Sequence, residues 1–258
     1  MKNSNNSLVN DIIRTIVLLA FLQGLIYGLL ALLFKFGYEL VIWFFSILVL
    51  YHFLLFLFLV AMQTNFYIEE TKEKLERINL PNILTIIRLS SIPTVLFLFL
   101  SKNNEIVGII LIVILTAIFL TDLLDGILAR KLHQITRIGR YMDSISDYLI
   151  ISSIAIIFFH SKLIPLWLFS LLILRLFIQA GGMGIILLKN GSVNPETSAM
   201  GKASIFATMT LFILEIFHFF KIPYLGNNTF IIICESITGI ILGVSIIDKF
   251  VFLSKKLV

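Results

Sequence analysis

Long apolar runs, each followed by a short polar segment, occupy most of this 258-residue chain. A helix that spans a membrane needs about 20 mostly apolar residues. Windows of that kind lie at residues 15–34, 40–62, 83–101, 105–121, 144–160, 163–188, 203–220 and 228–247. The pattern predicts an all-α integral membrane protein whose helices form one compact bundle.

The composition points to the same class of protein. The chain is 59% hydrophobic and 14% charged, with a mean hydropathy of +1.04, whereas a soluble domain is about half apolar and a quarter charged. Fifteen of the 20 basic residues fall on one side when residues 64–82, 130–140, 189–202, both termini and Arg88 are placed together. The positive-inside rule assigns that side to the cytoplasm.

Three segments follow from the spacing of the runs. Residues 1–64 are predicted to form two additional N-terminal transmembrane helices, because the first run continues to Phe34 without a small-residue cleavage site and is too long for a signal peptide. Residues 65–82 contain the mixed run IEETKEKLERI, which predicts a cytoplasmic juxtamembrane amphipathic helix. Residues 83–258 hold the other six windows.

The candidate chemistry lies in residues 121–147, which read TDLLDGILARKLHQITRIGRYMDSISD. Asp122 and Asp125 are three residues apart, and Asp143 and Asp147 are four apart, so each pair lies on one helical face. A carboxylate at membrane depth costs roughly 2.5–3.5 kcal/mol, and such residues usually serve a site. The polar stretch between the pairs predicts a helical hairpin in which the two acidic stripes face each other.

Four converging carboxylates would repel one another unless they were protonated or bound to cations. Oxygen ligands favour hard ions, so the residues predict Mg²⁺ or Mn²⁺ as the cofactor. Two such ions about 3.5–4 Å apart suit phosphoryl chemistry. A cation or proton pathway in a membrane transporter is the alternative use of buried carboxylates. A non-catalytic membrane scaffold is a third class, which would need no divalent metal.

The same segment resembles the signature of the CDP-alcohol phosphatidyltransferase family. That signature reads D-x-x-D-G-x-x-A-R, eight residues, and then G-x-x-x-D-x-x-x-D. All eight fixed positions are filled at the family spacing, by Asp122, Asp125, Gly126, Ala129, Arg130, Gly139, Asp143 and Asp147. The resemblance implies a catalytic core of six transmembrane helices over residues 83–258, to which the first two helices are added.

The resemblance also implies roles for these residues. Asp122, Asp125, Asp143 and Asp147 are expected to bind metal, and Asp147 is expected to act as the general base. The stretch NLPNILTIIR at 79–88 resembles the start of the family's first core helix, where Arg88 would lie near the nucleotide or its phosphates. The residues expected to contact the CDP group are Asn82, Thr85, Asp125, Gly126, Ala129, Arg130 and Gly139.

The acceptor side of the resemblance is less complete. Pro195 and the stretch GKASIFATM from Gly201 resemble the phosphatidylglycerophosphate synthase and cardiolipin synthase branches. An expected phosphate pocket contains Arg140, Arg175 and Lys202. The acidic residue that the family often places after the mid-span basic residue is replaced by Leu176.

The expected reaction is transfer of a phosphatidyl group from CDP-diacylglycerol to an alcohol, with release of CMP. Glycerol 3-phosphate is the expected acceptor, and phosphatidylglycerol or another polar alcohol is the alternative. The resemblance further implies a multi-pass protein of the cell (inner) membrane with a cytoplasmic active site, membrane lipids as partners, and a homodimer. Nucleic acid is not an expected partner.

Overall fold

The computed structural model describes residues 2–101, 105–190, 198–219 and 227–257. Pro195 lies outside these residues. The nine α-helices within the described ranges are α1 (Lys2–Phe34), α2 (Tyr38–Ala61), α3 (Leu80–Ser90), α4 (Ile92–Leu100), α5 (Glu105–Lys131), α6 (Arg137–His160), α7 (Leu166–Asn190), α8 (Ala199–Phe219) and α9 (Asn228–Leu257). The prediction of an all-α protein is confirmed.

Seven helical stretches within the described residues are long and apolar enough to cross a membrane, if α3 and α4 are taken together as Leu80–Leu100. The apolar part of α7, Leu166–Gly182, is shorter. Large apolar side chains remain exposed along most of these helices, such as Leu32 and Phe177. Since a soluble protein would bury such surfaces, the helices are those of an integral membrane protein.

The chain divides into two compact units, Met1–Ser146 and Asp147–Val258. In the first unit, α1 packs on α2, and both contact the span formed by α3 and α4, which in turn packs against α5. Its buried core cluster draws on α1, α2, α3 and the start of α6, with Ile12, Leu59, Ile86 and Ile138 fully buried. The two N-terminal helices are therefore part of this core.

The span of α3 and α4 is divided at Ser91, and each of the two helices has a proline in its first turn. Asn79 precedes α3 in an extended conformation, and Pro81 occupies the first turn, where its missing N–H costs nothing. Pro93 occupies the first turn of α4 in the same way. Because Pro93 cannot donate to the carbonyl four residues earlier, the helix breaks there.

The segment from Phe66 to Asn79, called the strap below, corrects the prediction of an amphipathic helix over 65–82. The strap bends back on itself: Tyr67 pairs with Lys74 in an isolated β-bridge, and Ile68 pairs with Thr136. Lys72 has a positive φ of 60°, which ends any helical run. The helical charge pattern is overridden because the strap's backbone bonds to a distant part of the chain.

In the second unit, α7 and α8 both pack against α9. A Cβ added to Gly239 in α9 would lie 2.5 Å from the ring of Trp167, so only glycine allows that approach of the indole. Ser198 caps α8, since its Oγ accepts the N–H of Gly201 at 3.1 Å and donates to Asp248 at 2.5 Å. Glu215 in α8 is fully buried and interacts electrostatically with Glu235 of α9.

Candidate active site

The turn that joins α5 to α6 is short and held by local hydrogen bonds. Gln134 N–H donates to the carbonyl of Ala129 at 2.9 Å, and His133 adopts a positive φ of 53°. Thr136 then caps α6, because its Oγ1 accepts the N–H of Gly139 at 3.0 Å. The predicted helical hairpin is confirmed, and its two helices carry the aspartates.

The two acidic stripes meet, as their spacing predicted. Asp122 of α5 and Asp143 of α6 each offer a carboxylate oxygen, and these oxygens lie within 4.8 Å of each other. Asp125 lies one turn beyond Asp122 and is buried. Asp147, also buried, follows Asp143 by one turn on α6 and is the first residue of the second unit.

A guanidinium group lies among the carboxylates of the first unit. Arg88 of α3 forms an ion pair with Asp122, its Nη2 lies 2.7 Å from Asp143 Oδ1, and the same Nη2 lies 3.5 Å from Asp125 Oδ2. The Arg88 side chain is fully buried, whereas that of Asp143 is half exposed. One positive charge thus faces three carboxylates, which leaves an excess of negative charge.

This cluster fits a hard divalent cation. Its donor atoms are carboxylate oxygens, which Mg²⁺ and Mn²⁺ prefer. The half-exposed Asp143 gives access from outside the protein, and Asp125 is oriented by Thr85, whose Oγ1 donates to its Oδ2 at 3.0 Å. Such second partners fix the direction of a metal ligand.

Asn82 and Gly139, which are both expected to contact the CDP group, meet at Thr136. The Thr136 hydroxyl donates to Asn82 Oδ1 at 2.9 Å, and a Cβ at Gly139 would lie only 2.7 Å from that oxygen. Glycine at this position therefore allows the Asn82 and Thr136 side chains to approach α6 closely. Asn82 Nδ2 is buried and has no hydrogen-bond partner among the described residues, so a donor is available.

The other expected CDP residues line the end of α5. Gly126 is approached by the Arg130 side chain, whose Nη1 lies 3.5 Å from the position of a Cβ at Gly126. Arg130 is exposed and Ala129 partly buried. The long cationic side chain of Arg130 thus lies over a glycine, which has no side chain. This arrangement suits the binding of phosphate oxygens.

The three expected acceptor residues have different surroundings. Arg140 pairs with Glu69 of the strap, Nη2 to Oε2, at 2.5 Å. Arg175 is buried and donates to the carbonyl of Gly201 at 3.0 Å and to Ser245 Oγ at 3.3 Å. Lys202, next to Gly201 in the chain, is exposed.

Comparison with known proteins identifies the family. The sequence model of the CDP-alcohol phosphatidyltransferase family matches residues 78–246. The chain belongs to the CDP-alcohol phosphatidyltransferase family. It is therefore a phosphatidyltransferase enzyme, and the resemblance drawn from the aspartate motif is confirmed.

Relatives of this phosphatidyltransferase fall into two named groups. It is 34% identical over 155 residues to the CMP-forming cardiolipin synthase of Streptomyces coelicolor, covering 56% of this chain and 68% of the relative. It is 32% identical over 174 residues to the CDP-diacylglycerol–glycerol-3-phosphate 3-phosphatidyltransferase of Aquifex aeolicus, covering 66% of this chain and 93% of the relative. The enzyme of the latter name in Bacillus subtilis is 30% identical over 129 residues, 45% of this chain and 65% of the relative.

Sequence reasoning about this phosphatidyltransferase missed several site residues. Thr136 had a readable signal, since a threonine directly before a helix is a common cap. Glu69 gave no readable signal, because its ion pair with Arg140 depends on how the strap folds. Gln179, one turn after Arg175, is buried, and its Oε1 has no hydrogen-bond partner among the described residues. From the sequence, Gln179 cannot be distinguished from a glutamine that faces lipid. Its burial follows only from the fold around α7.

Proposed function

We propose that this enzyme transfers a phosphatidyl group from CDP-diacylglycerol to glycerol 3-phosphate and releases CMP. The observation that carries the proposal is the carboxylate cluster of Asp122, Asp125 and Asp143 around Arg88. The relative in Aquifex aeolicus, whose length is almost fully covered, is named for this donor and this acceptor.

Two Mg²⁺ or Mn²⁺ ions are the proposed cofactor, held by Asp122, Asp125, Asp143 and Asp147. When bound, such ions supply charge stabilisation for the pyrophosphate oxygens and the leaving CMP. Thr85 orients Asp125 within this set. Arg88 neutralises part of the same charge.

The proposed donor site lies where α3 meets the ends of α5 and α6. Asn82 offers its free Nδ2 donor to the nucleotide, and Arg130 offers its guanidinium to the phosphates. Gly126, Ala129 and Gly139 leave room for the CDP group because they carry little or no side chain. Their arrangement supports a nucleotide diphosphate as the donor.

The proposed reaction breaks one phosphorus–oxygen bond and forms another. The acceptor hydroxyl oxygen attacks the phosphorus of the phosphatidyl group, and the bond from that phosphorus to CMP breaks. The hydroxyl proton passes to Asp147, the proposed general base. Asp147→Asn should lower turnover by about a hundredfold or more, in the range of general-base catalysis. Near-normal turnover would remove Asp147 from this role.

The acceptor phosphate is proposed to bind Arg175 and Lys202, with Arg140 as a third cation. Arg175 supports this role because it is buried against neutral hydrogen-bond acceptors. A second candidate is phosphatidylglycerol, since the relative in Streptomyces coelicolor is named a cardiolipin synthase. Both acceptors carry a phosphate and a hydroxyl, so the same cations suit either.

The basic segments support a cell-membrane enzyme whose active site opens to the cytoplasm, where CDP-linked lipid and glycerol 3-phosphate meet. A homodimer stays a prediction from the family resemblance. The division of the chain into residues 1–64, the strap region and a catalytic domain from about residue 83 is likewise proposed, and the family match from residue 78 supports its last boundary.

The acceptor is tested by product analysis. Purified enzyme in detergent receives CDP-diacylglycerol, Mg²⁺ and either glycerol 3-phosphate or phosphatidylglycerol, with serine and inositol phosphate as further acceptors. Mass spectrometry should find phosphatidylglycerophosphate with the first acceptor. Cardiolipin with the second acceptor alone would replace glycerol 3-phosphate in the proposal. Product from neither, in the presence of intact protein, would contradict the proposed acceptor class.

A further inference from the structure

The two N-terminal helices lie outside the family match, which begins at residue 78, yet they bond to the span that carries Arg88. Their contacts with α3 and α4 are polar as well as apolar, although side chains in a membrane need no polar groups to pack. Polar side chains at membrane depth are costly and usually have a purpose.

The first contact joins α2 to the break between α3 and α4. Leu89 would normally accept a hydrogen bond from the N–H four residues later, but that residue is Pro93, which has none. The Tyr51 hydroxyl of α2 donates to the Leu89 carbonyl at 2.8 Å. A backbone N–H at the end of α3 also donates to this carbonyl, so the Tyr51 hydroxyl is an additional donor that ties α2 to the break.

The second contact is a chain of hydrogen bonds through Ser90, the residue after Leu89. His52 Nδ1 lies 2.8 Å from the Leu48 carbonyl and must donate to it, so in the neutral ring Nε2 accepts from the Ser90 hydroxyl, also at 2.8 Å. The Ser90 oxygen in turn accepts from Gln23 Nε2. Thr94 completes the chain by donating to Gln23 Oε1 at 2.8 Å.

Both ends of the same span are also held. The carboxylate of Asp11 in α1 accepts the N–H of Ile78 at 2.8 Å, just before α3 begins. The Tyr27 hydroxyl lies 3.0 Å from Ser101 Oγ, just after α4 ends, and its ring stacks on Phe44 at 3.8 Å. The α1–α2 pair thus bonds to the start, the break and the end of one span.

Arg88 precedes Leu89 and Ser90 directly, so fixing those two residues fixes the backbone from which its side chain reaches Asp122 and Asp143. We infer that α1 and α2 form a positioning unit for the active site, in which Tyr51, His52 and Gln23 act through Leu89 and Ser90 on Arg88. This inference deepens the proposed function and rests on it, because it assigns the N-terminal helices to the same carboxylate centre.

The test uses the full-length enzyme and two matched variants on α2. Tyr51→Phe removes only the hydroxyl that bonds to Leu89, and Tyr38→Phe removes an exposed hydroxyl from the first residue of the same helix. Mn²⁺ binding is measured by electron paramagnetic resonance, and kcat and KM for CMP release are measured in parallel. Loss of a direct second partner of a metal ligand weakens metal binding by about 10–100-fold. Tyr51 acts one step further away, so Tyr51→Phe should raise the Mn²⁺ Kd by about tenfold at most, and Tyr38→Phe should leave it unchanged.

The same variant in an Arg88→Lys background separates positioning from stability. If Tyr51 acts through Arg88, the effect of Tyr51→Phe on Mn²⁺ affinity should shrink or vanish there. An equal change in both backgrounds, or no change in Mn²⁺ Kd and in kcat, would overturn the inference. A fall in thermal stability alone would also overturn it.

Ser90→Ala serves as a second variant, because it removes only the hydroxyl at the centre of the chain. It should shift Mn²⁺ affinity in the same direction, and an unchanged Kd in folded protein would count against the inference even if Tyr51→Phe failed to fold. A Mn²⁺ shift in both variants without CMP release by the native enzyme would support the positioning unit and contradict the proposed function. If the native enzyme releases CMP and both variants bind Mn²⁺ as the native enzyme does, the proposed function would be supported and the positioning unit contradicted.

Discussion

The two buried arginines, Arg88 and Arg175, are embedded in different ways. Arg88 is 1% exposed and faces three carboxylates, while Arg175 is 2% exposed and donates to a backbone carbonyl and a serine hydroxyl. A buried guanidinium is costly unless opposite charge or hydrogen bonds compensate it. The surroundings of Arg88 have an excess of negative charge and suit a cation.

The surroundings of Arg175 suit an anion. It donates to a backbone carbonyl and a serine hydroxyl, and Tyr148 and Asp147 also interact with it electrostatically. We propose that the acceptor phosphate binds beside this guanidinium. One buried arginine is proposed as a counter-ion in a metal site, and the other is proposed as a receptor for the acceptor phosphate.

The largest expected effect concerns stability. Arg88→Met leaves three carboxylates without their cation and should lower the free energy of unfolding by about 3–5 kcal/mol, as removal of one partner of a buried ion pair does. Mg²⁺ or Mn²⁺ should restore part of it, because it supplies the missing charge. Arg175→Met should cost about 1–3 kcal/mol, the range for unmade hydrogen bonds, with no rescue by metal. Thermal unfolding in detergent, with and without Mg²⁺, measures both. Equal metal rescue of the two variants would remove the distinction.

The next effect is on catalysis. Asp143→Asn keeps the shape of the side chain but removes a charge from the cluster, and should lower CMP release by about 10²–10³-fold, as loss of one transition-state electrostatic contact does. Glu105→Gln removes an exposed charge at the start of α5 and serves as the control. Similar activities of the two variants would show that Asp143 is not part of the centre.

A smaller effect is expected at the acceptor site. Arg175→Lys keeps the charge but loses the planar fork that binds phosphate oxygens. The KM for the acceptor should rise about tenfold, which corresponds to 1.4 kcal/mol, while the KM for CDP-diacylglycerol stays constant. Arg14→Lys changes an exposed arginine of α1 and is the matched control. A rise in the donor KM instead would place Arg175 on the donor side.

The smallest effect concerns the strap. Glu69→Gln weakens the partly exposed ion pair with Arg140, and such pairs contribute about 0–1 kcal/mol. Stability should hardly change, and the acceptor KM should fall by about twofold at most as Arg140 becomes available, an effect on the order of RT. Glu73→Gln, at an exposed position of the strap, is the control. A higher acceptor KM would mean that the Glu69 pair holds Arg140 in its working position.

The sequence predicted features that depend on local spacing. The hairpin of α5 and α6 and the meeting of Asp122 with Asp143 follow from helical periodicity and a polar turn. The strap was predicted wrongly, because its helical charge pattern is local while its bonds to Ile135, Thr136 and Arg140 come from distant residues.

The bonds of the N-terminal helices to α3 and α4 were also beyond sequence reasoning. Gln23 and Ser90 are 67 residues apart, and no periodic pattern links them. A histidine and a glutamine in apolar runs indicate only that some polar partner exists. Pro93 gave the readable half of the signal, since it lacks the N–H that would normally donate to the Leu89 carbonyl. The identity of the donor, Tyr51, depends on how α2 packs.

The most direct test of the metal-centred account is CMP release by the native enzyme after removal of divalent cations with EDTA. The assay contains CDP-diacylglycerol and glycerol 3-phosphate, and Mg²⁺ or Mn²⁺ is then added back. We expect no release without metal and full recovery when metal is added back, and we expect Asp143→Asn to recover little at any metal concentration. Undiminished release in EDTA would contradict a carboxylate-bound metal centre around Arg88.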